Sequence, residues 1–203
     1  EPHKLARIRS DYLGRVSLID YAMGRLQEAM WARGDRDRTW TVFTSDRGHL
    51  LGDHGLVGHR SFLTPALEVP VVIASPTAVK LHASPGLVST VDVAATIASL
   101  AGCDLPEAAG GRSLMHVLRG EPLGMPRGNA CLSEFGRRIM LETEQYKVVF
   151  DVDTGAALGL YDLLHDPDEE RNLVHTVTAC NVLDSLRVRL SQALLLMRAM
   201  PGG

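Results

Sequence analysis

In the first part of this chain only two runs have the residue types of buried strands, and the helices around them need more sheet than two strands supply. Thr39-Trp40-Thr41-Val42-Phe43-Thr44 is β-branched and aromatic, and bulk on both faces predicts a central strand. Val69-Pro70-Val71-Val72-Ile73-Ala74 is the second run, with Pro70 at its start, where a missing N–H is tolerated. Ahead of them Leu5, Ile8, Tyr12, Val16, Ile19, Met23, Leu26 and Met30 recur at three- and four-residue steps. That spacing predicts one helix over about Leu5–Arg33. Arg7, Arg9, Arg15, Arg25 and Glu28 mostly fill its other face, and Gly34 stands where a helix-ending glycine belongs. The charged run Asp35-Arg36-Asp37-Arg38 reads as a turn. Downstream, Ser89-Thr90-Val91-Asp92 has the form of a capping box with Asp in place of Glu. The helix it opens runs through Ala94, Ile97 and Leu100 to Gly102, and Ser113–Leu118 reads as a short helical piece. A two-strand sheet cannot cover helices on both faces, so an incomplete α/β layer is expected.

After Gly120 the texture changes. Short alternating runs at Ala130–Glu134, Arg138–Thr143, Tyr146–Val152 and Leu158–Asp162, separated by glycines or polar turns, predict an antiparallel meander. Asp151-Val152-Asp153-Thr154-Gly155 and Asp166-Pro167-Asp168 read as turns. A last helix is expected from an N-cap near Asn181, with Leu183, Leu186, Leu190, Leu194 and Met197 as its apolar stripe. The expected division is residues 1–122 as part of an α/β core and 123–203 as a small α+β subdomain.

Composition bounds the function. With 203 residues, 45% of them apolar, the chain suits one large domain or two small ones. A formal net charge of −3 argues against a nucleic-acid footprint. Apolar runs such as Val69–Ser75 fall far short of the ~20 residues a membrane span requires. Cys103, Cys131 and Cys180 are far apart and odd in number, which favours reduced thiols and a cytoplasmic location. Cys103, after Gly102, is expected to be buried and inert. The opening Glu1-Pro2-His3-Lys4 has no apolar signal-peptide core.

The chemistry concentrates in Thr44–Phe62, between the two strands. This window holds three of the eight histidines, two aspartates and two arginines. Connections of that length in a compact domain are usually functional or disordered. Asp46 falls just past the carboxyl end of the first strand, the edge where open α/β sheets bind ligands. A carboxylate there either caps a turn or binds a cation. His49, His54 and His59 recur at five-residue steps, which matches no zinc motif. On spacing alone they read as loop histidines, and His54 as structural or as lining a pocket.

Taken together, Thr44-Ser45-Asp46-Arg47-Gly48-His49-Leu50-Leu51-Gly52-Asp53-His54-Gly55-Leu56, Gly58-His59-Arg60-Ser61-Phe62 and Val69-Pro70-Val71 resemble the sulfatase family of the alkaline phosphatase superfamily, which includes arylsulfatases and phosphonate monoester hydrolases. Thr90-Val91-Asp92-Val93-Ala94-Ala95-Thr96, Gly111-Arg112-Ser113-Leu114, Leu160-Tyr161-Asp162-Leu163, Asp166-Pro167-Asp168-Glu169 and Asn172-Leu173 are similar to further segments of that family, in the same order. The opening helix, with Tyr12, Asp20 and Gly24, fits as well.

The resemblance implies part of an alkaline-phosphatase-like mixed sheet flanked by helices, followed by a small antiparallel sheet packed with a C-terminal helix. It implies hydrolysis of a sulfuric, phosphonate or phosphodiester ester, with a small anionic ester as substrate. Asp46 corresponds to a ligand of a divalent metal, calcium, magnesium or manganese. The second ligand, normally His or Asn, is here Arg47, and a guanidinium cannot ligate a cation. The family lysine that contacts the anionic group and leaving oxygen is here His59, which can donate a hydrogen bond or act as general acid near neutral pH. Arg60 beside it can take the charge role, and Arg47, His54 and Arg60 are the expected substrate contacts. The formylglycine motif Cys/Ser-x-Pro-x-Arg and the other acidic ligands are not among these residues, so the metal site is incomplete here. The chain therefore resembles the C-terminal half of a sulfatase, with the N-terminal half of the same protein as its partner. The alternative is a catalytically inactive relative in which Arg47 holds an anion or pairs with Asp46. No nucleic-acid or membrane partner is expected, and a homo-oligomer is left open.

Overall fold

The computed structural model describes residues 2–76, 86–103, 105, 109–121, 130–177 and 179–198. The expected boundary at residue 122 and the Met197 side chain lie outside what is described. The chain divides into two compact units, Glu1–Ser61 with Pro65–Lys80, and Phe62–Thr64 with Leu81–Gly203.

The first unit is built on α1, Pro2–Ala32. The helix ends as the sequence predicts. Gly34 takes φ +70°, its N–H donates to Trp31 O, and Asp35 N–H donates to Met30 O. A 3-10 turn over Arg36–Arg38 leads into β1, Thr41–Thr44. The Asp35 carboxyl is held below the ordinary aspartate range, chiefly by the hydrogen bond from Arg38. Strand β1 pairs antiparallel with β4, Val71–Ala74, in the register Thr41 to Ala74 and Thr44 to Val71.

Among the described residues this is a two-stranded sheet, so β1 is not a central strand here. Bulk on both strands remains open instead: Phe43 of β1 and Val71 and Val72 of β4 are exposed. The segment between the strands is not a plain loop. It holds β2, Leu50–Leu51, paired with β3, Val57–Gly58, around a 3-10 turn, and then α2, Thr64–Leu67. Two-residue strands carry no readable periodicity, which is why the sequence conceals them.

The second unit opens with α3, Thr90–Leu100. The capping box forms: Ser89 N–H donates to Asp92 Oδ2 at 3.0 Å and the Ser89 side chain faces the Asp92 N–H, which also donates to the Ser89 backbone O at 2.9 Å. The other Asp92 oxygen accepts Arg112 N–H at 2.7 Å, and the buried Thr96 hydroxyl accepts Leu114 N–H at 2.9 Å. These bonds lay the segment Gly111–Leu114 along α3, ahead of α4, Met115–Leu118. A Cβ on Gly111 would sit 2.1 Å from Val91 O, so glycine is required there.

Strands β5 (Ala130–Phe135), β6 (Arg138–Thr143), β7 (Tyr146–Asp151) and β8 (Ala157–Asp162) form the expected antiparallel meander in sequential order. Alternation puts Ile139, Leu141, Val148, Phe150 and Leu160 on one face, packed with Ala179, Leu183 and Leu186 of α5, Ala179–Arg198. Helix α5 begins at Ala179, so Asn181 lies in its first turn and is not the N-cap. Asp151 and Asp166 fix turns: the first accepts the Thr154 N–H and hydroxyl, the second accepts the Glu170 and Arg171 N–H groups. Asn172 does the same for β8, accepting Leu160 N–H at 3.0 Å. Cys103 is exposed, contrary to the burial expected of it. No helix among the described residues is long and apolar enough to cross a membrane.

Candidate functional site

The loop after β1 is held by α1 and by the backbone of Pro65 and Ala66, all within the first unit. Gly48 N–H donates to Ala66 O at 3.0 Å, and a Cβ on Gly48 would stand 2.1 Å from Pro65 O. Only glycine allows so close an approach of the two backbones. Further on, the Arg9 guanidinium donates from Nε to Leu51 O at 2.7 Å, and Leu51 N–H donates to Asp53 Oδ2 at 2.8 Å. Leu5 of α1 closes over Gly52, where φ is +110° and a Cβ would meet Leu5 Cδ2 at 2.7 Å.

Those anchors fix the imidazoles. His49 stacks on Tyr12 of α1 at 5.6 Å between ring centroids, and His59 follows at 6.2 Å from His49, tilted by 42°. His49, Arg47 and Tyr12 line a cleft of about 860 Å³ whose apolar floor includes Val16, Phe43 and Val72. His54 takes part in neither ring contact. It is exposed at the left-handed tip of the 3-10 turn, with φ +52°.

The sequence-predicted residues are thus distributed unevenly. Asp46 has an 81% exposed side chain and stands 3.8 Å from the Arg47 Nε. His59 and Arg60 are exposed on the segment after β3. Arg9, Tyr12 and His49, which contribute the anchoring and the ring stack, were not among the expected site residues. The signal in the sequence was weak. Tyr12 reads as one more member of an apolar stripe, and Arg9 as part of a solvated face.

A divalent ion needs several hard oxygen or imidazole donors at once. Among the described residues no three His, Cys, Asp or Glu side chains converge in that way. Asp46 is one carboxylate beside one guanidinium, so the donor set in this chain does not fit a metal by itself. What the loop does offer is cationic and neutral donors. Arg47 and the His49 and His59 rings can donate to the oxygens of an anionic group.

The Asp53 carboxyl lies below the ordinary aspartate range, first because it accepts the Leu51 N–H. Burial opposes this, and its own N–H and the charges of Arg9 and His54 add to it. A depressed folded-state value means that the stabilisation is full above the unfolded value of ~3.9 and is lost as pH falls through the folded one. The β2–β3 hairpin is therefore expected to loosen as pH drops below about 4. Asp53→Asn, which keeps an acceptor but cannot titrate, should abolish that acid limb. Amide exchange at Leu51 and Gly52 followed against pH checks this.

The family profile described as N-sulphoglucosamine sulphohydrolase, C-terminal, matches residues 52–195. An N-acetylglucosamine-6-O-sulfatase of Bacteroides thetaiotaomicron is 28% identical over 185 residues, covering 84% of this chain and 32% of the relative. A multifunctional alkaline phosphatase superfamily protein of Trinickia caryophylli is 30% identical over 194 residues, covering 84% of this chain and 37% of the relative. Among solved structures, one of a protein in complex with its substrate D-glucosamine-2-N,6-O-disulfate superposes with a TM-score of 0.78 at 26% identity, over 91% of this chain and 40% of that one. A phosphonate monoester hydrolase from Silicibacter pomeroyi shares the fold, with a TM-score of 0.77 at 23% identity over 86% of this chain and 38% of that one. The chain spans about a third of the length of the curated relatives it matches.

Proposed function

We propose, from the premise that this chain belongs to the N-sulphoglucosamine sulphohydrolase C-terminal family of the sulfatases, that it is the C-terminal part of a sulfuric-ester hydrolase. The observation that carries this reading is the unbroken family match over residues 52–195. It runs from the loop after β1 through the meander to α5. Phosphonate and phosphodiester esters are the neighbouring substrate class. The N-acetylglucosamine-6-O-sulfatase relative and the structure holding D-glucosamine-2-N,6-O-disulfate make sulfated amino sugars the first compounds to test. In this reading Arg47, Arg60 and His54 contact the anionic group and His59 donates to the leaving oxygen. Asp46 would be one ligand of a divalent metal whose other ligands lie outside this sequence.

The nucleophile comes from a segment upstream, the N-terminal half of the same protein. The first unit has a surface suited to it. Leu13, Leu18, Ile19, Tyr21 and Trp31 of α1 are each more than half exposed, and among the described residues β1 and β4 pair only with each other. Surfaces of this kind are normally covered. The division into an α/β part over 1–122 and a subdomain over 123–203 belongs to the same proposal, the first part completing the larger core.

A second reading rests on one contact. The Arg47 guanidinium at 3.8 Å from Asp46 puts a fixed positive charge beside the expected metal ligand. A catalytically inactive, anion-holding relative would look the same at that point.

Peptide mass spectrometry of the protein from its source tests both. A Cys/Ser-x-Pro-x-Arg peptide from upstream of Glu1, its first residue converted to formylglycine, is the expected result. A mature N-terminus at Glu1 with no accompanying chain would overturn the hydrolase reading and leave the binding one.

A further inference from the structure

Among the described residues of the second unit, the most deeply buried charge lies outside the candidate site. Lys147 is the second residue of β7 and is 0% exposed. Strand alternation puts it on the face opposite the Ile139–Leu141 core, directly across from Glu142 on β6 and Tyr161 on β8. A lysine in that position needs charged or polar partners. Its Nζ donates to the Thr64 hydroxyl at 2.6 Å and lies 2.8 Å from Glu169 Oε1 and 3.3 Å from Glu142 Oε2. The Glu169 Oε1 contact is an ion pair outside hydrogen-bond geometry. The other Glu169 oxygen, Oε2, accepts the Thr64 backbone N–H at 2.7 Å.

Glu169 is itself in an unfavourable backbone conformation, φ +58°. A non-glycine residue stays in that region only where its surroundings fix it. Here its N–H donates to Asp166 O, while the Asp166 carboxylate takes the next two N–H groups. The Asp166-Pro167-Asp168-Glu169 turn thus serves to deliver one buried carboxylate to Lys147 and Thr64. Thr64 is gripped at both its hydroxyl and its N–H, by residues 83 and 105 positions away. It follows His59 by five residues and is the first residue of α2.

We propose that Lys147 and Glu169 form a positioning pair that fixes the downstream end of the loop carrying His59 and Arg60. This rests on the reading of that loop as the substrate site. A pair serving the sheet alone would find its partners within the sheet. This one spends its shortest hydrogen bonds on Thr64.

Hydrogen exchange on the intact protein tests it. Thr64→Val removes the hydroxyl and keeps both shape and backbone N–H; Thr64→Ser keeps the hydroxyl. Thr64→Val should speed exchange across residues 62–67 about tenfold, the change one lost hydrogen bond produces. Strands β5–β8 should keep their protection, and Thr64→Ser should behave as wild type. Glu169→Gln, which keeps an acceptor but loses the ion pair, should loosen the same residues. Wild-type exchange over 62–67 in Thr64→Val, or equal acceleration there and in the sheet, would overturn the proposal. Because amide exchange needs no turnover, the two readings fail separately. If the exchange pattern holds while the intact protein hydrolyses no sulfate ester, the anchor stands and the hydrolase reading falls. If the intact protein is active, Thr64→Val should lower kcat and Thr64→Ser should restore it.

Discussion

Lys147→Met should lower the stability of the second unit by about 3–5 kcal/mol, the cost typical of removing one partner from a buried ion pair. The substitution replaces the aliphatic stem with a side chain of similar length, so little volume is lost. What remains is the problem of Glu169. Its side chain is 1% exposed, and without Nζ its charge has only the Thr64 N–H to answer it. Glu142, 21% exposed, can turn toward water and contributes less of the cost. The check is chemical denaturation read on the β5–β8 sheet by exchange or circular dichroism. Adding Glu169→Gln to Lys147→Met should recover much of the loss, because the stranded charge is then gone. The coupling energy of that double-mutant cycle measures the pair itself. A Lys147→Met protein within about 1 kcal/mol of wild type would show that the buried charges rearrange freely, against the geometry described here.

Lys147 also marks where the sequence could be read and where it could not. The meander, α1 and α5 were legible because each spans enough residues to display a period, two for the strands and 3.6 for the helices. Within that pattern a lysine sits between Tyr146 and Val148, ahead of the apolar run Val148-Val149-Phe150. That was a signal of a buried charge, but nothing local identifies Thr64 or Glu169 as its partners. The same limit applies to the site. Asp46, Arg47, His59 and Arg60 stood out as chemistry gathered after a strand, and the structure leaves all four exposed. The Tyr12–His49 stack and the Arg9–Leu51 bond join residues about forty positions apart, and no spacing rule reaches that far. The central position expected of β1 came from its two bulky faces. Two bulky faces say that a strand is to be covered but not by what, and among the described residues only β4 pairs with β1. Cys103 and Asn181 show the weakness of residue-type rules. A cysteine is usually buried and an asparagine usually caps, yet Cys103 is exposed and α5 starts two residues before Asn181.

Gly48→Ala should be the most damaging single change in the first unit. The added Cβ would meet Pro65 O at 2.1 Å and Glu68 O at 3.0 Å. Both are backbone atoms, so no side-chain rotation relieves the clash. Either the loop or the start of α2 must move, and either movement breaks the Gly48–Ala66 hydrogen bond. Overpacking of this kind costs ~1–3 kcal/mol, and the lost hydrogen bond adds about 1 kcal/mol. The displacement should also carry His49 off Tyr12, which ring-current shifts of the two side chains report directly. Gly14→Ala is the opposing control: Gly14 lies within α1 with nothing within 4 Å of its Cβ position. There alanine should stabilise the helix by roughly 0.5–1 kcal/mol. If Gly48→Ala left stability and the His49 ring signals unchanged, the close backbone approach that holds this loop would be refuted. The same displacement moves Asp46 and Arg47, which precede Gly48, so on the proposed hydrolase reading turnover of a sulfate ester by the intact protein should fall in Gly48→Ala and stay level in Gly14→Ala.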